Sequence, residues 1–105
     1  MKFVIDKNIL LEALTNVTRA IGTRTTIPIL NGIKFDLDNE GLSLLASDSE
    51  LTIKISIPEK DIKNIEKPGS MIIQSKYILE IIRKMPSDII YFEALDSNKI
   101  KIYTV

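Results

Sequence analysis

The chain is expected to fold as an α+β domain in which two helices pack on a mostly antiparallel sheet. Three observations predict this. Two stretches, 8–21 and 75–85, repeat apolar residues every three or four positions, the period of an amphipathic helix. Around them run segments that alternate apolar and polar residues, the period of a half-buried strand, separated by turn residues. After Gly69 the order of elements starts again: strand, helix, strand, strand, strand in the first half is followed by strand, helix, strand, strand in the second.

Residues 2–6 have extended character and end at Asp6, a good helix N-cap. The first helix is expected from about Asn8 to Ile21. Leu10, Leu14, Val17 and Ile21 form its apolar stripe with Ala13 and Ala20 beside them, while Glu12, Thr15, Asn16, Thr18 and Arg19 fall outside. Gly22 is placed to end it. Residues 29–37 read as a strand with Ile33, Phe35 and Leu37 on one face and Lys34 and Asp36 on the other. A turn at 38–41, a return strand at 42–46 and a turn at 47–49 follow. Leu51, Ile53, Ile55 and Ile57 then make the cleanest period-two run, which Pro58 stops.

Residues 60–69 read as a charged connection, the candidate linker. Beyond it, 71–73 is a buried-looking strand, and Ser75 is expected to cap a helix through about Met85. Ile78, Ile82 and Met85 form its stripe; Leu79 and Ile81 are also assigned to core packing, in preference to a partner-binding patch. Pro86 closes that helix, and strands at 88–95 and 99–105 flank a turn at 96–98. The second half is one strand shorter than the first. A further strand is therefore expected after Val105, without which a sheet edge stays open.

Its 105 residues suffice for one domain, and 45% hydrophobic and 27% charged content are ordinary for a globular protein. There is no cysteine, which excludes disulfides and thiolate metal sites, and no histidine, which removes the commonest general base. No apolar run approaches the roughly 20 residues that span a bilayer, and an acidic residue comes too early for a secretion signal. The cytoplasm is the expected compartment. Net charge is zero, but it is unevenly distributed. Segment 7–24 sets Lys7, Arg19 and Arg24 against Glu12, and segment 75–86 sets Lys76, Arg83 and Lys84 against Glu80, so each carries +2 and the remainder carries −4. If the two helices share a side, that side is basic.

The stretch Arg24-Thr25-Thr26-Ile27-Pro28-Ile29-Leu30 lies between the first helix and the following strand. Pro28 fixes its own φ and pushes Ile27 towards extended geometry, which leaves Arg24 on a turn. A guanidinium held there is either a solvated turn residue or a contact for phosphate. Followed by Asn31-Gly32-Ile33, this stretch closely resembles the start of the bacterial DNA polymerase III beta subunit, the sliding clamp family. Met1-Lys2-Phe3, Leu10-Leu11, the turn Ser47-Asp48-Ser49-Glu50, Pro68-Gly69 and Arg83-Lys84-Met85-Pro86 also follow the family's order and spacing, so the resemblance covers the whole chain.

The resemblance implies a DNA clamp fold and a non-catalytic processivity factor. In that family each protomer has three such domains, and two protomers close head to tail into a ring around duplex DNA, with helices lining the hole. The partners implied are double-stranded DNA, a second clamp protomer, the replicative polymerase and the clamp loader, with no cofactor. This chain resembles the N-terminal domain, short of its last strand. Arg24 matches the family's DNA-contacting arginine in that domain. Lys76 falls where the family usually has a second such arginine, keeping the charge but not the bidentate fork. Arg83 and Lys84 are expected to contribute to the basic lining, as is Arg19. Because Glu80 is spaced four residues from both Lys76 and Lys84, intrahelical pairing on a solvated face is the alternative for those lysines.

Other sites weigh less. Asp36-x-Asp38-x-Glu40-Gly41 imitates the start of a calcium loop, but its twelfth position is Ser47 where a bidentate Glu is required, and its flanks read as strands. No histidine is present to activate a serine, and no glycine-rich phosphate loop is visible. Two other classes remain to be tested: a small hydrolase using Asp36, Asp38 and Asp48, and a protein-interaction domain that associates through an open edge strand.

Overall fold

A computed structural model describes residues 1–20, 32–48, 50–96 and 99–105. Its elements are β1 (Lys2–Asp6), α1 (Lys7–Val17), β2 (Gly32–Asp38), β3 (Gly41–Ser47), β4 (Thr52–Pro58), β5 (Asn64–Lys67), β6 (Gly69–Gln74), α2 (Ser75–Lys84), β7 (Ile89–Leu95) and β8 (Lys99–Tyr103). Short 3-10 turns follow α1 at Thr18–Ala20 and β4 at Glu59–Asp61. The strands form two antiparallel four-stranded sheets, ordered β5-β1-β7-β8 and β4-β3-β2-β6.

The expected antiparallel sheet takes the form of two sheets, and the repeated element order explains how they are joined. Each half lends its first strand to the other half's sheet: β1 pairs with β7, Phe3 opposite Phe92, and β6 pairs with β2, Ile73 opposite Ile33. In both halves that strand runs straight into a helix, Asp6 into Lys7 and Gln74 into Ser75. The exchange puts both helices against one core. α1 lies against β3, β4 and α2, and α2 lies against β6.

The sheets meet at three phenylalanines. Phe92 stacks on Phe3 within its own sheet at 5.0 Å between ring centroids, and on Phe35 of the other sheet at 5.4 Å. Ile33, Leu37, Leu42, Leu44, Ile5 and Ile90 surround them, all but fully buried. Among the described residues no polar or charged side chain is buried, so the interior is held by apolar burial and ring packing.

Several local expectations hold. Asp6 caps α1, its Oδ1 accepting the N–H groups of Asn8 at 2.8 Å and Ile9 at 3.4 Å. α2 ends at Lys84, where Met85 turns to φ −62°, ψ 134°, the extended geometry imposed before a proline. In the turn after β2, Asp38 Oδ1 accepts from the Glu40 and Gly41 amides. Gly41 has φ +148°, and a Cβ there would fall 2.1 Å from the Ile57 carbonyl oxygen, so the β2–β3 turn requires glycine.

Others are corrected. α1 is α-helical only to Val17, the next three residues tightening into the 3-10 turn; Ile21, Gly22 and 29–31 lie outside the described residues. Ser75 does not cap α2 but is its first residue; the capping position is Gln74, whose side chain makes no capping bond. The 60–69 segment is no linker: Ile62 is buried, and β5 pairs with β1, Ile65 opposite Phe3. Along β4, burial is graded. Ile57 is 5% exposed, Ile53 and Ile55 are partly buried, and Leu51, just before the strand, is 49% exposed, because β4 is an edge strand covered only in part. Ile81 of α2 is 44% exposed, outside the core that takes Ile78 and Ile82.

Within the β5-β1-β7-β8 sheet, Lys2 on β1 reaches Glu66 of β5 at 3.4 Å and Glu93 of β7 at 3.7 Å, which raises its pKa. Tyr91 stacks on Tyr103 across β7 and β8 at 5.0 Å. In the turn before β4, Asp48 Oδ1 accepts from Glu50 N–H at 2.8 Å and Leu51 N–H at 2.6 Å, and these bonds hold its carboxyl below the usual value of 3.8.

Two outcomes follow. Phe92→Ala should cost about 3–5 kcal/mol, read as a lowered midpoint in urea. Asp48 should titrate below 3.8 by carboxyl NMR. Since its folded-state value is the lower one, its stabilisation is complete above the unfolded carboxylate range and lost as pH falls through the folded value; Asp48→Ala should flatten that part of the acid unfolding curve.

Candidate nucleic-acid interface

The helical side takes its shape from the contact between the start of α1 and the end of α2. Lys7 Nζ donates to the Met85 carbonyl at 2.7 Å, and the Lys7 amide donates to the Asp88 carbonyl at 2.7 Å. An ammonium on the last carbonyls of a helix satisfies groups that have no intrahelical partner. Lys7, counted above in the positive surplus of its segment, is therefore committed to joining the helices. Nothing in the sequence signals this, because the partners lie 78 residues apart.

Arg83 and Lys84 occupy the last turn of α2 and are exposed, held outward because Ile78 and Ile82 on the opposite side are buried. Cations at that end also suit the helix dipole. Arg83 forms an ion pair with Glu80, both side chains about half exposed. That pair is spaced three residues apart along α2. Arg19 is exposed in the 3-10 turn after α1. It sits at the far end of α1 from Lys7, a separation of roughly 16 Å for an 11-residue helix. Arg19 thus stands apart from Arg83 and Lys84. Lys76 is the second residue of α2, at the other end of that helix from Arg83. Arg24 lies outside the described residues.

The carboxylates concentrate elsewhere. Asp36 and Asp38 alternate with core residues on the outer face of β2, Glu40 is in the following turn, and Glu59 and Asp61 are in the 3-10 turn after β4. Lys34, Lys54 and Lys101 are exposed on the strands as well, so the outer faces are mixed in sign. Among the described residues no group of three carboxylates stands close enough together to hold a metal ion for the hydrolase alternative. Asp36 accepts from Ser70 Oγ at 2.7 Å, and Asp38 and Asp48 each bind backbone amides of their own turns.

What the arrangement offers is a small number of separate cations on a helical surface, suited to non-specific phosphate contact. Residues 1–104 match the family described as DNA polymerase III beta subunit, N-terminal domain. The chain belongs to that family. It is 43% identical over 90 residues to the beta sliding clamp of Bacillus subtilis, covering 82% of this chain and 24% of that protein. With the beta sliding clamp of Halalkalibacterium halodurans it shares 43% identity over 101 residues, 92% of this chain and 27% of the relative. The crystal structure of the DNA polymerase sliding clamp from Bacillus subtilis superposes with a TM-score of 0.93 at 38% identity, covering all of this chain and 29% of that one. The chain thus spans about a quarter of the length of the curated relatives it matches. The α+β fold with two helices on antiparallel sheets is that of sliding clamps. Among the described residues no helix is long and apolar enough to cross a membrane.

Replacing Lys7 by Met should remove the tie between the helices and cost about 1.5 kcal/mol, the low end for a hydrogen bond to a charged group because the site is partly exposed. Urea denaturation measures the loss.

Proposed function

We propose that residues 1–105 form the N-terminal domain of a sliding clamp protomer, a non-catalytic processivity factor that joins a second protomer in a ring around duplex DNA. The observation that carries this reading is the superposition of the entire chain on a sliding clamp at a TM-score of 0.93 and 38% identity. The replicative polymerase and the clamp loader would be its protein partners, and the cytoplasm its compartment.

Physics favours weak contacts for such a device. A ring holds DNA by topology, and each neutralised phosphate adds affinity and resistance to sliding. Arg24, Lys76, Arg83, Lys84 and Arg19 are the residues we assign to the DNA-facing surface. The spread of Lys76, Arg83 and Lys84 over both ends of α2, with Arg19 in the turn after α1, supports a role as independent phosphate contacts rather than one binding pocket.

Arg24→Ala and Arg83→Ala, each in the protein as the cell makes it, should weaken duplex binding about uniformly across sequences. Each should also reduce the slope of log Kobs against log salt by about 0.9. Unchanged slopes with both variants would remove these residues from the interface. Concentration-dependent self-association with no salt-sensitive DNA binding would instead favour the interaction-domain reading, for which the edge strands β4, β5, β6 and β8 are available.

A further inference from the structure

α2 carries a single carboxylate, Glu80, among three cations, Lys76, Arg83 and Lys84. On a helix surface, positions three and four apart are neighbours, so Glu80 is within one turn of all of them. The structure pairs it with Arg83, and the two side chains are 53% and 51% exposed. An exposed pair of this kind contributes little to folding, and the core beneath is held by Ile78 and Ile82 without it.

We propose that Glu80 is a positioning residue that acts through Arg83 as an internal competitor for phosphate. This inference rests on the assignment of Arg83 to the DNA-facing surface made above. A phosphate oxygen and the Glu80 carboxylate seek the same guanidinium donors, and Arg83 must exchange one anion for the other to touch DNA. The exchange offsets part of the phosphate's Coulomb gain and returns Arg83 to a ready partner each time the duplex moves on. Contact is thereby kept brief without deletion of the cation. The geometry also distinguishes Arg83 from Lys84, the neighbouring residue in the same turn, which has no carboxylate in ion-pair range among the described residues.

The test compares wild type, Glu80→Gln, Arg83→Ala and the double variant in the protein as the cell makes it. Binding to a linear duplex with free ends, onto which a closed ring can thread, is measured over a sodium chloride series. Glutamine keeps the length and helix propensity of glutamate but not its charge. Glu80→Gln should tighten binding roughly two- to fivefold at low salt, the range of an exposed ion pair, and steepen the salt slope. The double variant should bind like Arg83→Ala alone. A loss of structure cannot tighten binding, so the sign separates this role from a structural one. If Glu80→Gln leaves affinity and slope unchanged while Arg83→Ala weakens binding, the competitor role is overturned and the clamp reading stands. If Glu80→Gln gains affinity equally with and without Arg83, the effect is general charge removal and the proposal fails. If wild type binds no duplex at any salt, the clamp reading fails as well.

Discussion

Phe92 stands between Phe3 of its own sheet and Phe35 of the other, with ring centroids 5.0 and 5.4 Å apart, and the rest of the packing is arranged around that stack. A sheet with one apolar face must bury it against something. Here each sheet buries its face against the other, and the helices close what remains open. The offset rings supply a large apolar area and a preferred geometry together, which ties the register of β1 on β7 to the placement of β2 above them.

The exchange of first strands turns two similar half-domains into one cooperative unit. Neither half can form its sheet without the other, since β7 lacks a neighbour without β1 and β2 lacks one without β6. It also explains why α1 and α2 come together. Each follows an exchanged strand with no intervening loop, and the Lys7 ammonium on the Met85 carbonyl then joins the start of one to the end of the other. The function we propose depends on this placement, because it sets α2, which carries Lys76, Arg83 and Lys84, beside the helix that leads into the turn of Arg19.

Much of this was legible from local patterns. The alternation of Ile33, Phe35 and Leu37 with charged residues marked the buried face of β2; Asp6 marked a helix start and Pro86 a helix end, through side-chain capping and a steric clash that act within a few residues. β5 was not legible. Its residues, Asn-Ile-Glu-Lys, have no strand pattern, and what makes them a strand is backbone pairing with β1 some 60 positions earlier. The candidate interface was half legible: its residue types and helical positions were visible, and the ring-forming family was suggested by motifs along the whole chain. That Lys7 is engaged by α2, and that Glu80 pairs with Arg83, was not.

By itself the sequence determined most of the elements, the direction each helix face must point, and the surplus of positive charge in segments 7–24 and 75–86, because period, caps and prolines act over one or two turns of chain. Tertiary structure alone decided the division into two sheets, the graded burial of Leu51 to Ile57 along an edge strand, and the separation of Arg19 from Arg83. Those outcomes depend on which distant segments meet. Pairing energies per residue are too small and too similar to select a partner until the whole apolar core is enclosed.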